Sequence, residues 1–113
     1  MITNNPLVKS EYETDHIVDF AETDLIDVLI RVRDMIHKGH KLLTHPLSGS
    51  IKPNETIFKT VLVSGNTGRT DFDSVAMIED CISAAKKFPP RQIPDDFIYD
   101  MQVIDLSLIK PAL

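Results

Sequence analysis

Apolar residues recur along this chain with two different spacings, one typical of strands and one typical of helices. Short apolar or β-branched runs predict strands over residues 1–3, 16–20, 41–44 and 57–64. Residues 23–38 show the clearest helical spacing, at Leu25, Val28, Leu29, Val32, Met35 and Ile36. Residues 71–88 predict another long helix, with its apolar stripe at Val75, Ile78, Ile82, Ala85 and Phe88.

Polar and turn-forming residues mark the ends of the predicted helices. Asn5 followed by Pro6 predicts an N-cap with proline at the first helical position, and hence a short helix over residues 6–12. Gly39 is expected just past the end of the second helix. Asp71 can cap the third, which must stop before the proline pair at 89–90. These signals bound all three helices.

The last twenty residues fit two patterns. Residues 101–106 predict a final strand, with Ser107 capping a terminal helical turn. One continuous helix from Pro94 fits as well, because apolar residues recur at helical spacing at Phe97, Met101, Ile104 and Leu108. Both interpretations stay open.

Strands that alternate with helices predict an α/β protein, a three-layer sandwich around a small, mainly parallel twisted sheet of four to five strands. The connection 45–56 contains no helix, so the strand at 57–64 can run antiparallel to its predecessor. In that case the turn at residues 65–68 lies at the opposite end of the sheet from His45. The length of 113 residues predicts a single domain over 1–113.

The composition argues against some classes of partner and favours a cytoplasmic location. The formal net charge is −5 and tryptophan is absent, so neither a nucleic acid nor an acidic membrane surface is an expected partner. The start of the sequence does not resemble a signal peptide, and no apolar run is long enough to cross a bilayer. The single cysteine, Cys81, has no disulfide partner within the chain.

Charge is distributed unevenly along the sequence. Residues 1–30 carry a net charge of −6, residues 31–70 carry +5, and residues 71–113 carry −4. The basic middle forms either the ordinary solvated faces of helices or a cationic patch that holds a carboxylate or a phosphate.

Two strand ends carry the polar side chains of a candidate binding site. Asn4 and Asn5 follow the first strand, and His45 follows the third, at the edge of a wound sheet where ligands bind. The loop after His45 adds a possible backbone nest and a positive charge through Ser48, Gly49, Ser50 and Lys52. Together these residues predict a site for a small anion. Alternatively, Asn5 only caps a helix and the loop only forms a long turn.

Little in the sequence indicates catalysis. His45 is the one candidate acid or base, and no nucleophile or carboxylate partner for it is visible. The histidines do not have a metal-binding spacing, so we expect no metal and no cofactor. Cys81 lies beside an apolar helical stripe and is interpreted as a core residue. The acids at Asp95, Asp96, Asp100 and Asp105 are interpreted as solvated or capping.

The chain resembles the GrdX family, small proteins of unknown activity associated with gene clusters for glycine, sarcosine and betaine reductases. The resemblance is densest over residues 36–50 and 52–56, which include His45-Pro46-Leu47-Ser48-Gly49-Ser50. It extends to residues 2–8, 27–34 and 104–110. The resemblance implies a cytoplasmic accessory role in amino-acid reduction by anaerobes. It assigns no catalytic residue, because the thiol and selenocysteine chemistry of these reductases belongs to other subunits.

Three functions therefore compete. The leading hypothesis is an accessory protein that binds a small anionic metabolite or a glycine reductase subunit. The second is an enzyme acting on a small carboxylate or phosphoryl compound, with His45 as acid or base and Lys52 holding the anion. The third is a structural domain that forms a homo-oligomer through the 45–54 loop.

Overall fold

A computed structural model describes residues 1–47, 57–87 and 94–113 of the chain. These residues form four α-helices and a three-stranded sheet. The elements in chain order are β1 (Ile2–Thr3), α1 (Pro6–Tyr12), β2 (Asp19–Phe20), α2 (Leu25–His37), β3 (Thr60–Val61), α3 (Phe72–Lys86) and α4 (Ile98–Ile109). Short 3₁₀ turns at Asp95–Phe97 and Lys110–Ala112 flank α4.

The sheet is smaller and more mixed than the sequence predicts. Its strand order is β2-β1-β3, with β1 parallel to β2 and antiparallel to β3. Ile2 is paired with Val61, and Thr3 with Thr60. The α/β class is confirmed, whereas the described residues do not form the expected four to five mainly parallel strands.

The predicted strand over residues 41–44 is reduced to one antiparallel bridge, between Leu42 and Val63. The pairing is short because side-chain hydroxyls accept hydrogen bonds from backbone N–H groups, in place of the backbone carbonyls of a neighbouring strand. The Thr44 Oγ1 accepts from the Leu62 N–H at 3.0 Å. The hydroxyls of Ser64 and Ser74 likewise accept from the N–H groups of Lys41 and Leu42.

The turn after β3 returns to the end of α2. The Gly68 N–H donates to the Gly39 carbonyl at 3.0 Å. Gly39 has a φ of +103°, and a Cβ at this position would lie 2.4 Å from the Gly68 oxygen, so both backbone conformation and contact require glycine. Because residues 57–64 run antiparallel to residues 41–44, this turn lies at the opposite end of the sheet from His45.

The predicted final strand over residues 101–106 is wrong, and the alternative of a helix after Pro94 is correct. Ser107 does not cap a terminal turn but lies inside α4, where its hydroxyl donates to the Val103 carbonyl at 2.9 Å. A short apolar run fits either periodicity, and here the 3.6-residue repeat determines the structure.

The helix ends follow the local signals closely. Asn5 caps α1 through a hydrogen bond from the Leu7 N–H, and Asp71 caps α3. The cap of α2 is Asp24, one residue after the expected start, and it accepts from the Asp27 N–H at 2.8 Å. Each cap satisfies an N–H group that has no partner within its helix.

The apolar core lies mainly where α2 and α3 pack on each other and on the sheet. Its buried members are Ile2, Leu25, Val28, Leu29, Val32, Ile36, Val61, Ile78, Ile82 and Ala85. On the other side, α4 contacts α1 and β3. Within the three described ranges, no helix has the length and apolar character needed to cross a membrane.

Candidate functional site

The structure describes three of the seven predicted site residues. Asn4 and Asn5 are buried and follow β1, whereas the side chain of His45 is exposed. The other four, Ser48, Gly49, Ser50 and Lys52, lie outside the described residues. The structure therefore describes the part of the site that borders this segment.

Asn4 and His45 lie at the same end of β3. Thr3 is paired with Thr60, so Asn4 lies beyond the N-terminal end of that strand. Thr44 is hydrogen-bonded to Leu62, and the chain then continues toward the same end. The two strand ends that carry the predicted site therefore lie on either side of β3.

The side chain of Asn4 is fully engaged with the backbone of two other segments. Its Nδ2 donates to the Thr23 carbonyl at 2.8 Å and to the Ile57 carbonyl at 2.7 Å. Its Oδ1 accepts from the Lys59 N–H at 2.8 Å. Asn4 thus fixes the chain at Ile57, immediately after the segment 48–56.

Asn5 caps α1 and also reaches α4. Its Oδ1 accepts from the Leu7 N–H at 3.0 Å, which confirms the predicted cap. Its Nδ2 donates to the Gln102 carbonyl at 2.9 Å and to the Asp105 carboxylate at 3.0 Å. This amide therefore joins the N-terminal segment to the C-terminal helix.

The Asp105 carboxylate lies at the centre of a buried hydrogen-bond network. Besides the Asn5 amide, it accepts from the Thr60 N–H at 3.0 Å and from the Thr60 hydroxyl at 2.7 Å. The Thr60 and Thr3 hydroxyls are 2.8 Å apart. We call the buried polar residues at this end of the sheet the polar junction: Thr3, Asn4, Asn5, Lys59, Thr60 and Asp105.

Lys59 brings a second charged side chain into the polar junction. It is only 4% exposed, and burial lowers the pKa of its ammonium group below the usual range. The negative charge of Asp105 opposes this shift and raises the pKa, as does Cys81 to a smaller extent. Asp105 and Lys59 are therefore two buried side chains of opposite charge that interact electrostatically within the polar junction.

Sequence reasoning missed both members of this pair. Asp105 was expected to be solvated or capping, but it is 3% exposed. The sequence nevertheless contains a pattern that indicates the burial of each residue. Lys59 interrupts an apolar strand, and Asp105 lies between Met101 and Ile109 at helical spacing, so each charge falls on an apolar face.

The ring of His45 makes a hydrogen bond within its own turn. Its Nδ1 accepts a hydrogen bond from the Leu47 N–H at 3.0 Å, so in the neutral ring the proton is on Nε2. Pro46 between them is fully buried and anchors the turn. His45 can thus present Nε2 to solvent as a hydrogen-bond donor.

Cys81 is a buried thiol, as expected for a core residue. Burial raises the pKa of Cys81, and the nearby Asp80 carboxylate raises it further. A hydrogen bond from the Leu47 N–H and the charge of Lys59 act in the opposite direction. The thiol therefore remains protonated near neutral pH, which disfavours a role as a nucleophile.

The remaining histidines do not assemble a metal site in the described residues. The His40 Nδ1 lies 2.6 Å from the Ser64 carbonyl, and His37 is exposed at the end of α2. Across residues 1–47, 57–87 and 94–113, no three side chains of His, Cys, Asp or Glu are placed to hold a metal ion.

The described part of the site is therefore a hydrogen-bonded support for the chain around it. The side-chain amides of Asn4 and Asn5 are already hydrogen-bonded within the protein, so each positions the backbone around it. Of the three described site residues, His45 is the one whose side chain is exposed and can donate to a ligand through Nε2.

Comparison with known proteins gives one match. No curated protein and no solved structure matched the chain. The family model described as GrdX-like protein matches residues 1–113, the whole sequence. The segments that carried the resemblance, from the first strand to the C-terminal helix, all lie inside this match. The chain belongs to the GrdX-like protein family.

Proposed function

We propose that this protein is an accessory protein of the glycine, sarcosine and betaine reductase system that binds a small anionic metabolite. Membership in the GrdX-like family supports the accessory role. The observation that carries the binding proposal is the anchoring of both ends of the segment 48–56 to buried side chains near one end of β3.

On the N-terminal side of the segment 48–56, the chain is anchored by the 45–47 turn. Pro46 is buried, and the Leu47 N–H interacts with both the His45 ring and the Cys81 thiol. On the C-terminal side of this segment, the chain is anchored by Asn4, through the Ile57 carbonyl and the Lys59 N–H. In proteins, binding residues concentrate in connecting segments whose flanking residues are held by the folded scaffold.

The chemistry of the loop favours an anion. Ser48, Gly49 and Ser50 supply hydroxyl and backbone N–H donors, and Lys52 supplies a positive charge. The exposed Nε2 of His45 adds one more donor at the edge of the loop. Asn4 and Asn5 contribute by positioning, because their amides are hydrogen-bonded inside the fold.

Ligand-dependent thermal unfolding tests this proposal. Acetate, glycine, phosphate and acetyl phosphate are titrated against the purified protein while the midpoint of unfolding, Tm, is recorded. A ligand at a hundred times its Kd stabilises a protein by about 2.7 kcal/mol, so Tm should rise by about 10 °C. Lys52→Gln should abolish the rise, whereas the matched change Lys86→Gln, at an exposed lysine on α3, should preserve it.

Two results would overturn parts of the proposal separately. If none of the four anions shifts Tm but a reductase subunit co-purifies with the chain, the accessory role stands and the metabolite is wrong. If one of the anions is instead chemically converted, and His45→Ala abolishes that turnover without changing Tm, the protein is an enzyme.

A further inference from the structure

Helix α4 lies outside the main apolar core of the protein. Among the described residues, none of its side chains belongs to the core or to the partly buried apolar residues that pack against the core. Of its twelve residues, Asp105 and Ile109 are buried. Beyond the 3₁₀ turns that flank it, α4 contacts chiefly α1 and β3. Helix α4 is therefore attached to the fold separately from α2 and α3.

The hydrophobic effect contributes little to the attachment of α4. Four of its large hydrophobic side chains are exposed while the helix is in place: Tyr99, Val103, Ile104 and Leu108. Because these side chains are already in solvent, moving α4 away from the sheet exposes little further apolar surface. By contrast, α2 buries five apolar side chains. Separating α4 from the fold therefore costs much less than separating α2.

The Asp105 carboxylate is the main polar attachment of α4 in the described residues. It accepts hydrogen bonds from the Thr60 N–H, the Thr60 hydroxyl and the Asn5 amide. The Asn5 amide also donates to the Gln102 carbonyl. Hydrogen bonds weaken steeply with distance and misalignment, so a small displacement of the helix breaks all of these contacts together.

The Thr60 amide belongs to β3, yet its hydrogen bond depends on α4. Its N–H donates to the Asp105 carboxylate at 3.0 Å. The preceding amide, that of Lys59, donates instead to the side-chain oxygen of Asn4 at 2.8 Å, and Asn4 directly follows β1. Two adjacent amides of one segment are thus bonded to different parts of the molecule, one to the C-terminal helix and one to the sheet.

We propose that α4 opens as a unit, separately from the core of α2 and α3, and that the Asp105 carboxylate is the contact that keeps it closed. Elements that bury few apolar side chains are the ones that open locally in native proteins. Opening uncovers the Asn5 amide and the Thr60 N–H and hydroxyl, at the end of the sheet where the candidate binding site lies. This opening is independent of the proposed anion binding.

Native-state hydrogen exchange of the whole chain, followed by NMR at low urea concentrations, tests the proposal. The amides in the middle of α4 and the Thr60 amide should exchange through one common opening. Their protection factors should be at least about tenfold lower than those of α2. The Lys59 amide is the matched control, and its protection factor should exceed that of Thr60 by at least about tenfold. Equal protection at Thr60 and Lys59, or protection of α4 equal to that of α2, overturns the proposal.

Asp105→Asn tests the role of the carboxylate, because it conserves the size of the side chain and removes its charge. The protection factors of α4 and Thr60 should fall by about a hundredfold while those of α2 stay unchanged, since hydrogen bonds to a charged group are the stronger ones. Asp100→Asn, at an exposed acid of the same helix, should leave both sets unchanged. An Asp105→Asn variant that lowers protection in α2 and α4 equally, or in neither, overturns the role of Asp105. If this variant does not fold, the comparison of Thr60 with Lys59 in the wild-type protein still decides the proposal.

Discussion

The two sides of this small sheet are held together by different chemistry. Where α2 and α3 meet the sheet, contacts are made by aliphatic side chains such as Leu29, Val32 and Ile78. Where α4 meets β3 and the start of α1, the contacts centre on a carboxylate, two side-chain amides, two hydroxyls and an ammonium group. The first is an ordinary apolar core, and the second is the polar junction.

This difference predicts how each side responds to substitution. Apolar packing is non-directional, so changes that conserve volume cost little. Buried hydrogen bonds are directional, and removing one member leaves the others without partners in a medium of low polarity. The polar junction should therefore be the more sensitive of the two, and it determines a specific arrangement of α1, β3 and α4.

The largest effect is expected from Asp105→Ala. This change leaves the Thr60 N–H and the Asn5 amide without their acceptor, and it removes the negative charge that stabilises the Lys59 ammonium group. The free energy of unfolding should fall by about 4 kcal/mol, because each buried donor left without its acceptor costs about 1–3 kcal/mol. Urea unfolding followed by circular dichroism measures it.

The matched control for that variant is Asp100→Ala, at an exposed acid one and a half turns earlier in α4. It should change the unfolding free energy by no more than about 0.5 kcal/mol. Equal effects at the two positions would mean that the carboxylate of Asp105 contributes nothing through its hydrogen bonds.

Leu29→Ala should have the next largest effect. It should lower the free energy of unfolding by about 3 kcal/mol, because it leaves a cavity between α2 and the sheet. Leu29→Met should cost less than about 1.5 kcal/mol, since it conserves volume. Urea unfolding of both variants measures this tolerance. A Met variant as unstable as the Ala variant would contradict the view that this side of the sheet depends on volume alone.

Asn4→Ala should cost about 2 kcal/mol, because the Lys59 N–H and the carbonyls of Thr23 and Ile57 lose their partner. Hydrogen exchange should show the Lys59 amide losing protection. Asn4→Asp keeps an acceptor for that amide and removes both donors. Protection at Lys59 that is retained in the Asp variant and lost in the Ala variant would identify Oδ1 as the anchor of the returning chain.

The smallest effect is a pH dependence caused by Lys59. Its pKa is lowered in the folded state, so the unfolded chain keeps the proton to higher pH, up to the ordinary value of 10.5. Stability must then rise with pH as 10.5 is approached from below. The raised pKa of Cys81 acts oppositely above its ordinary value of 9.0, so the measurement requires a Cys81→Ala background.

In that background, the unfolding free energy is compared with and without Lys59→Met between neutral pH and about pH 10. The difference should shift in favour of the lysine-containing protein as pH rises. A difference that is flat across this range would show that burial does not lower the pKa of Lys59.

Local signals in the sequence predicted local structure well. The caps at Asn5 and Asp71 and the helix over residues 25–37 were predictable because each depends on residues within one or two turns. The strand predicted over 101–106 failed because a short apolar run does not distinguish the two periodicities.

The polar junction was not predictable in the same way. Asn5 and Asp105 are a hundred residues apart in the sequence, and their contact depends on where α4 packs. The short sheet likewise depends on the hydroxyls of Thr44, Ser64 and Ser74 replacing carbonyls as acceptors. A sequence pattern indicates that a residue is polar, but not which distant group it will meet.

The position of Cys81 gives the molecule a built-in reporter. It is the only thiol in 113 residues, it is buried, and its sulfur accepts from the backbone of Leu47 at the point where the chain departs toward the proposed binding loop. A colorimetric disulfide reagent reacts with a buried thiol only when the structure around it opens. A ligand that stabilises the fold around Leu47 should therefore slow the labelling of the unmodified protein, and no engineered probe is needed.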